Sequence, residues 1–340
     1  MNEINNEITS LPEGYCIRPV EMEDIGTFLE ILNDYWEPFL GVRKFTEEDI
    51  RRIFTSPGFD NRASTRLVLS PEGRPAGGIL VWDVPSPPVH PLIYGAVRKE
   101  FEGRGIGTYM LHWAETRSRQ AISRVEEGVR VIVRATSSIG HEPTVNLFKK
   151  RGMQPIRYSW MMIMDLDKEP HKPQWPDGIT ISSFRDHPDL KSIYRAVNDS
   201  FQDHWGYVER DEQESIKRWE HRLESDKDFD PTLWYLAMDG DDIAGLALCE
   251  PQVGDNPDLA IVETLGVRRS WRRRGLGLAL LRHAFVEFYA HSKKQVGLGV
   301  DAQSLTGATR LYEKAGMRVH QQLVTYDLEL RPGEEISKQD

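Results

Sequence analysis

The chain has 340 residues, which is enough for two domains of ordinary size that each bury a core of their own. Its net charge of −10 argues against nucleic acid as a partner, because that binding depends on Lys and Arg side chains that neutralise phosphates. The two cysteines, Cys16 and Cys249, offer neither a disulfide framework nor the spacing of a metal site. With no signal peptide and no apolar run long enough to cross a membrane, we expect a cytoplasmic protein without a membrane partner or a metal.

The most informative pattern is an internal repeat. Four segments of the first half return in the same order in the second: PEG (12–14) as PDG (176–178), DYW (34–36) as DHW (203–205), EGRGIG (102–107) as RRRGLG (272–277), and LFKKRGM (147–153) as LYEKAGM (311–317). Four matching segments in one order indicate two copies of one domain.

The repeat also indicates where the domains end. Residues 165–178 are polar and rich in proline, a composition typical of a linker. We therefore predict a first domain at 1–164, a linker at 165–178, a second domain at 179–330 and a C-terminal tail at 331–340.

The second copy has the clearer secondary-structure pattern. Apolar runs at 233–238 and 243–249, separated by the turn residues DGDD, predict a hairpin, and 259–267 predicts a third strand. A helix with one apolar face follows, then a strand at 295–300, then a helix with apolar residues at 308, 311, 312 and 315 that ends at Gly316. This order predicts a mixed α/β domain with a crossover.

The glycine turn between the third strand and the helix is a candidate anion site. Gly275 and Gly277 let successive main-chain amides point into one concavity at the positive end of the helix dipole. Arg272, Arg273 and Arg274 add positive charge beside it. Taken alone, the pattern favours an ordinary tight turn over a phosphate site.

A wider pattern resembles a known family. Arg-x-x-Gly-x-Gly after a strand ending in Gly-Val, followed by LYEKAGM, resembles the coenzyme A pyrophosphate loop and the closing helix of the GNAT acetyltransferases. The resemblance covers nearly the whole chain and implies two tandem GNAT domains, each a mostly antiparallel sheet flanked by helices. It also implies transfer of an acetyl group from acetyl-CoA to a primary amine of a small molecule by direct attack on the thioester.

The resemblance implies roles for two sets of residues. The main chain at Leu265, Gly266 and Val267 would bind the pantetheine arm and the thioester carbonyl, and the pyrophosphate would lie against Arg272, Arg273, Arg274, Gly275, Leu276, Gly277 and Leu278. Tyr312 occupies the position of the family's general acid, which meets the coenzyme sulfur. The alternative for Tyr312 is core packing on an apolar helix face.

Glu263 is the candidate general base. It interrupts an otherwise apolar strand, where a carboxylate has to face water, a partner or a substrate. Some members of the family carry the base two residues earlier, where this chain has Ile261, and strict alternation would put both positions on one face of the sheet. Its other possible roles are to hold the acceptor amine or to pair with an Arg.

The acceptor pocket is predicted at Asp203, His204 and Trp205, which follow the first helix of the second copy. His204 could relay a proton near neutral pH, or simply be solvated. The sequence does not identify the acceptor, and the oligomeric state is expected to be monomer or homodimer.

The first copy differs wherever a side chain would carry chemistry. Ile93 stands at the position of Glu263, Glu102 at that of Arg272, and Phe148 at that of Tyr312. We therefore expect a degenerate, non-catalytic domain that walls the acceptor site or stabilises the fold, although Gly105 and Gly107 leave weak coenzyme binding open. The second copy also departs from the family, because Leu305 stands where many members have Asn.

One alternative comes from a different functional class. The chain could be a non-catalytic sensor or regulatory protein that binds acyl-CoA through its glycine loops alone. A pure binder needs neither Glu263 nor Tyr312, so their presence favours the enzyme.

Overall fold

The structure is a computed structural model that describes residues 10–303 and 307–339. The chain divides into two compact units, and each unit is made of two segments that are separate in sequence. The first unit contains the described residues up to Ile156 together with Val324–Glu335. The second contains the described part of Arg157–Leu323 together with the residues from Ile336 onward.

The first unit is a mixed sheet with helices packed on it. Across the sheet its strands are β1 (Cys16–Arg18), β2 (Thr65–Leu69), β3 (Pro75–Trp82), β4 (Leu92–Val97), β5 (Val131–Ser138) and residues 324–331 of β12 (Arg318–Arg331). Its helices are α1 (Ile25–Leu40), α2 (Glu47–Phe54), α3 (Asn61–Ser64), α4 (Ile106–Arg119) and α5 (Glu142–Lys150). Strands β1 to β4 pair antiparallel, and β4 pairs with β5 in parallel.

The second unit repeats this arrangement. Across its sheet the strands are β7 (Ile179–Ser183), β8 (Trp234–Asp239), β9 (Asp242–Glu250), β10 (Leu259–Val267), β11 (Gln295–Asp301) and β6 (Gln154–Asp165). The helices are α6 (Leu190–Phe201), α7 (Glu212–Ser225), α8 (Leu276–Ala290) and α9 (Ala308–Ala315). Only the β10–β11 pair is parallel among these neighbours. The predicted fold class, a mixed and mostly antiparallel sheet flanked by helices, is confirmed.

Each unit takes its last strand from the other copy of the repeat. Strand β6 follows the first copy, but its residues Ser159–Asp165 pair with β11 of the second unit. Strand β12 follows the second copy, but Asp327 on it forms an ion pair with Arg134 of β5 in the first unit, at 3.0 Å. The two units are therefore built from exchanged strands.

The predicted linker and tail both lie within the units. Residues 165–178 belong to the second unit, and residues 166–176 form neither helix nor strand. In the tail, the amide of Glu334 donates a hydrogen bond to the carbonyl of Gly128, at 2.7 Å, in the first unit. Further on, the amide of Lys338 donates to the carbonyl of Tyr207, at 2.8 Å, in the second unit.

The sheet of the second unit is covered on both faces. One face packs against α8 and α9 around Phe285 and Phe288, and the other packs against α6 and α7 around Trp234 and Leu236. Strands β8 and β9 are apolar along nearly their whole length, as burial on both faces requires. This division into an α8–α9 face and an α6–α7 face organises the candidate site.

Candidate active site

The sheet of the second unit opens between β10 and β11. The two strands pair only from Leu259–Ile261 on β10 to Gln295–Gly297 on β11, whereas β10 stays paired with β9 as far as Val267. The predicted coenzyme residues Leu265, Gly266 and Val267 lie on the separated part of β10. A side chain at Gly266 would come within about 3.0 Å of Ser200 on α6, so glycine lets the helix end lie close to this edge.

The glycine turn follows β10 directly and begins α8. Gly275 is the N-cap of α8 with a φ of 86°, and no side chain caps the helix. The first amides of a helix lack partners within the helix, so those at 276–278 are available to an anion. A Cβ at Gly277 would lie 3.3 Å from Leu311 of α9, a tight contact that Leu311 would have to shift to relieve. The side chain of Leu276 is buried in the core, and that of Leu278 packs against the core. Both residues could therefore contact a ligand only through their main-chain atoms.

The three arginines of the turn differ in what they contact. Arg272 donates to both carboxylate oxygens of Asp203, at 2.5 and 3.0 Å, and to the carbonyl of Ser200 at 2.9 Å. The hydrogen bond from Arg272 lowers the pKa of Asp203 to about 2. Arg273 and Arg274 are exposed and form no ion pair within residues 10–303 and 307–339. Arg272, predicted to bind the coenzyme, and Asp203, predicted to line the acceptor pocket, therefore form an ion pair with each other.

Glu263 lies at a β-bulge. The pairing of β10 with β9 runs Val262 to Cys249 and then Thr264 to Leu248, so Glu263 is the extra residue without a cross-strand partner. A bulge interrupts the regular alternation, and Glu263 is the exposed residue of a strand whose other residues are buried or half-buried. Ile261 pairs with Glu250, and Glu250 lines the same cavity as Glu263, so positions 261 and 263 lie on one face as expected and the alternation changes phase only beyond Glu263.

Glu263 lines a small cavity on the α6–α7 face. The cavity has a volume of about 40 Å³ and is lined by Trp219, Arg222, Leu223, Trp234, Leu248, Glu250, Glu263 and Thr264. Glu250 on β9 forms an ion pair with Arg222 of α7. Burial, opposed by Arg222, raises the pKa of Glu250, and the negative charge of Glu263 raises it further.

Tyr312 lies on the opposite face of the sheet. It belongs to α9, is 8% exposed and packs in the core formed with α8. Burial raises the pKa of its hydroxyl to about 12, so the phenol stays protonated at neutral pH. Glu263 and Tyr312 therefore lie on opposite faces of the sheet.

The other two predicted acceptor residues do not line the cavity beside Glu263. The ring of His204 packs edge-on against Phe201 at 4.7 Å, and burial lowers the pKa of this histidine. The guanidinium carbon of Arg157 lies 5.1 Å from the centroid of the Trp205 ring. The same guanidinium forms an ion pair with Asp301 at the end of β11. These contacts hold the loop after α6 in place beside the end of β11.

The sequence analysis missed the walls of the cavity. Trp219 and Arg222 lie on α7, whose alternating polar and apolar residues look like those of any surface helix, and Glu250 is the last residue of an apolar strand. One signal was available, because Glu263 lies within a predicted strand and Glu250 directly follows the neighbouring predicted strand at 243–249.

The first unit has different chemistry at the equivalent positions. Ile93 is 7% exposed, and Phe148 packs against the ring of Tyr326 at 5.2 Å. Glu102 occupies the position that Arg272 has in the second unit, so a carboxylate replaces the guanidinium there. Its carboxylate lies 3.6 Å from Nε2 of His141, the N-cap residue of α5. Leu305, where the family often has Asn, lies outside the described residues.

Neither a metal cluster nor a membrane-spanning helix lies among residues 10–303 and 307–339. Among the described residues, no group of three or more His, Cys, Asp or Glu side chains could hold a metal ion. No helix within the same residues is long and apolar enough to span a bilayer.

Comparison with known proteins identifies the family. The model of the acetyltransferase (GNAT) family matches twice, at residues 28–153 and 190–317. Mycothiol acetyltransferase of Catenulispora acidiphila is 27% identical over 266 residues, which cover 76% of this chain and 79% of that protein. The crystal structure of a GCN5-related N-acetyltransferase from Sphaerobacter thermophilus is 30% identical with a TM-score of 0.78, covering 97% of this chain and all of that one.

A more distant structure shares the fold. A tandem GNAT protein from the clavulanic acid biosynthesis pathway has 15% identity and a TM-score of 0.64, and the match covers 94% of this chain. Together, the two family matches and the tandem arrangement show that the chain belongs to the acetyltransferase (GNAT) family and is an acyltransferase.

Proposed function

We propose that the second unit transfers an acetyl group from acetyl-CoA to a primary amine of a small molecule, and that the first unit is not catalytic. The observation that carries this proposal is the bulge at Glu263, which exposes a carboxylate in a cavity beside the opening between β10 and β11. The equivalent position of the first unit holds Ile93, which is buried.

The coenzyme is proposed to bind from the α8–α9 face. Its pyrophosphate would meet the uncapped N-terminus of α8, with Arg273 and Arg274 as the exposed cations beside it. Its pantetheine arm would follow the separated edge of β10 at Leu265, Gly266 and Val267. Arg272 supports this site indirectly, because its hydrogen bonds to Asp203 and Ser200 fix the turn against the end of α6.

The amine is proposed to enter from the α6–α7 face. An alkylammonium has a pKa of about 10, so most of the amine is protonated at neutral pH. It must lose a proton before its nitrogen can attack the thioester. Glu263 takes this proton, directly or through a water molecule. The nitrogen then forms a bond to the thioester carbon, and the oxyanion that develops is stabilised by main-chain amides of β10.

Collapse of the intermediate breaks the carbon–sulfur bond. The departing thiolate accepts a hydrogen bond or a proton from Tyr312, whose hydroxyl is protonated because burial raises its pKa to about 12. The attacking nitrogen loses its second proton in this step, and that proton replaces the one that Tyr312 gives to the thiolate, so the products are the acetylated amine and free coenzyme A. Support for this assignment of roles comes from the positions of the two side chains on opposite faces of the sheet.

The first test is a calorimetric titration with acetyl-CoA, followed by an assay of acetyl transfer to a panel of primary amines. We expect one coenzyme site per chain and acetyl transfer whose kcat falls roughly 10³-fold in Glu263→Gln. Two equivalent sites would contradict the inactive first unit, and absence of binding would remove the proposed function.

A further inference from the structure

The face of α7 that packs on the sheet contains a largely buried arginine. One stripe of this helix consists of residues spaced three and four apart: Ser215, Arg218, Trp219 and Arg222. The side chain of Arg218 is only 17% exposed. A stripe that faces a core is normally apolar, and burial of a guanidinium costs free energy unless its N–H groups find partners.

The protein satisfies Arg218 only in part. Its guanidinium donates one hydrogen bond, to the hydroxyl of Ser215 at 3.0 Å. The carboxylate of Glu214 lies 4.0 Å away, beyond hydrogen-bond distance, and that side chain is 55% exposed. The guanidinium forms no other hydrogen bond or ion pair within residues 10–303 and 307–339. A group with five N–H donors is therefore left with capacity for an anion.

A second arginine lies near the same end of α7. Arg210 is half-buried and directly precedes Asp211, the N-cap residue of the helix. Burial lowers the pKa of Arg210, and the positive charge of Arg218 lowers it further, as expected of two guanidinium groups close enough to repel each other. An anion bound beside them would relieve this repulsion.

The acidic residues at the start of α7 have partners of their own. The carboxylate of Asp211 accepts a hydrogen bond from the amide of Glu214, at 2.8 Å. That of Glu212 accepts two hydrogen bonds from Arg195 of α6, at 2.8 and 3.0 Å. These carboxylates therefore cap the helix and join it to α6, and neither donates a hydrogen-bond acceptor to Arg218.

The buried arginine lies on the same face of the sheet as the cavity beside Glu263. Trp219, the residue after Arg218, lines that cavity, as does Leu223 one turn further along. Trp219 and Leu223 are four and eight residues beyond Ser215, which holds the guanidinium, and thus about 6–12 Å from it along the helix axis. An anion bound at Arg218 would lie about that far from an amine in the cavity.

We propose that Arg218 and Arg210 bind an anionic group of the acceptor, so that the substrate is a primary amine that also carries a carboxylate or a phosphate. The inference rests on the proposed function, because it names the substrate class of the same site. Arginine suits both anions, since its planar fork donates two parallel hydrogen bonds to either. The pairing of Arg222 with Glu250 leaves the charge of Glu263 for the single ammonium of such a molecule.

The test compares 8-aminooctanoate with 8-aminooctanamide, which has the same chain without the charge at its far end. An extended chain covers about 1.2 Å per bond, as an extended peptide does, so the amine and the carboxylate are about 10 Å apart. For the full-length wild type, we expect kcat/KM to be roughly tenfold higher for the carboxylate, the usual effect of one charge-assisted hydrogen bond. Arg218→Gln should remove this preference by raising the KM for the carboxylate. Arg218→Lys keeps the charge and should retain part of it.

Lys217→Gln is the matched control. It removes one positive charge from the neighbouring, exposed position of the same helix and should leave the preference unchanged. Equal kcat/KM values for the two amines would overturn the inference and leave the proposed function intact. A preference for the carboxylate that survives Arg218→Gln would overturn it as well.

A second measurement does not depend on turnover. Inorganic phosphate is titrated calorimetrically into the wild type, Arg218→Gln and Lys217→Gln, and we expect Arg218→Gln to bind one phosphate fewer per chain than the other two. Repeating the titration with acetate distinguishes a phosphate from a carboxylate as the preferred group. Equal binding of both anions by all three proteins would overturn the anion site. Failure of the wild type to acetylate either amine would remove the proposed function, and the titration would then decide the anion site alone.

Discussion

Strands β4 and β10 hold the same place in their two units but pair with their neighbours differently. In the first unit, β4 pairs with β3 without interruption from Leu92 to Val97. In the second, β10 pairs with β9 through a bulge whose extra residue is Glu263. The regular strand buries Ile93, whereas the bulged strand exposes a carboxylate. One additional residue in a ladder thus separates a packing position from a candidate catalytic one.

The surrounding glycines show that the rest of the framework is shared. Gly105 and Gly275 cap α4 and α8 with φ values of 84° and 86°. A Cβ at Gly107 would lie 3.3 Å from Leu147, and one at Gly277 would lie 3.3 Å from Leu311. Backbone geometry has therefore been kept in both units while the side chains that carry chemistry differ.

The largest effect is expected from Glu263→Gln. Loss of the general base should lower kcat roughly 10³-fold at saturating acetyl-CoA, because the amine can then no longer be deprotonated efficiently. Since Glu263 is exposed and has no cross-strand partner, the free energy of unfolding should change little. Steady-state kinetics and urea unfolding measure the two quantities.

Glu313→Gln is the matched control, because it removes an exposed carboxylate from α9 and should leave kcat unchanged. A kcat for Glu263→Gln within a few-fold of wild type would show that another group deprotonates the amine.

The second effect is expected from Tyr312→Phe, at roughly 10²-fold in kcat, because the thiolate then departs without its acid. The reciprocal change in the first unit, Phe148→Tyr, should leave kcat unchanged. It should destabilise the protein by about 1–3 kcal/mol, since it buries a hydroxyl in a packed aromatic contact. Equal losses of kcat from changes in the two units would contradict the division of roles.

The pH profile sharpens this prediction. Burial raises the pKa of Tyr312 from 10.0 to about 12, so the protonated form is favoured in the folded enzyme. The stability that this group contributes is present below pH 10 and is lost only as the pH rises through about 12. Titration of Tyr312 should therefore not lower kcat below about pH 11, and a fall with a midpoint near pH 10 that Tyr312→Phe removes would contradict the shift.

The third effect concerns the two N-cap glycines. Gly275→Ala and Gly105→Ala each force alanine into the left-handed region, which costs roughly 1–2 kcal/mol at either position. Only Gly275→Ala should also raise the KM for acetyl-CoA, several-fold, because it distorts the amides proposed to hold the pyrophosphate. A comparable rise in KM from Gly105→Ala would indicate that the first unit takes part in coenzyme binding.

The sequence was sufficient for the elements that local pattern determines. The DGDD turn correctly predicted the hairpin of β8 and β9, and the predicted third strand at 259–267 coincides with β10. The helices α8 and α9 follow from apolar periodicity and from the C-cap at Gly316. The roles of Glu263 and Tyr312 and the boundaries of the two domains stay predictions.

Other features leave little trace in a single sequence. The bulge adds a residue without changing the apolar character of β10, and the polar Glu263 was its only sign. The exchange of β6 and β12 leaves no sign in the sequence either, because the composition of each strand suits either unit. Arg272 and Asp203 are 69 positions apart in the sequence. A short sequence motif contains only neighbouring residues, so it could not predict that these two form a pair.

The smallest effect is expected from Asp203→Asn. In the second unit this carboxylate accepts two hydrogen bonds from Arg272, while its counterpart in the first unit, Asp34, lies 3.5 Å from Arg98. Because the Asp203–Arg272 pair is partly exposed, its loss should lower the free energy of unfolding by no more than about 1 kcal/mol. Asp34→Asn should have a smaller effect, since one longer contact is lost.

The dependence on pH identifies the cause of this effect. The pKa of Asp203 is lowered from 3.8 to about 2 in the folded protein, chiefly by the hydrogen bond from Arg272. A lowered pKa means that the stabilisation is present above pH 3.8 and disappears as the pH falls through about 2. The difference between wild type and Asp203→Asn in urea unfolding should therefore be larger at pH 7 than at pH 3. A difference that is the same at both values would assign the loss to packing, and the turn would then not depend on the ionised pair.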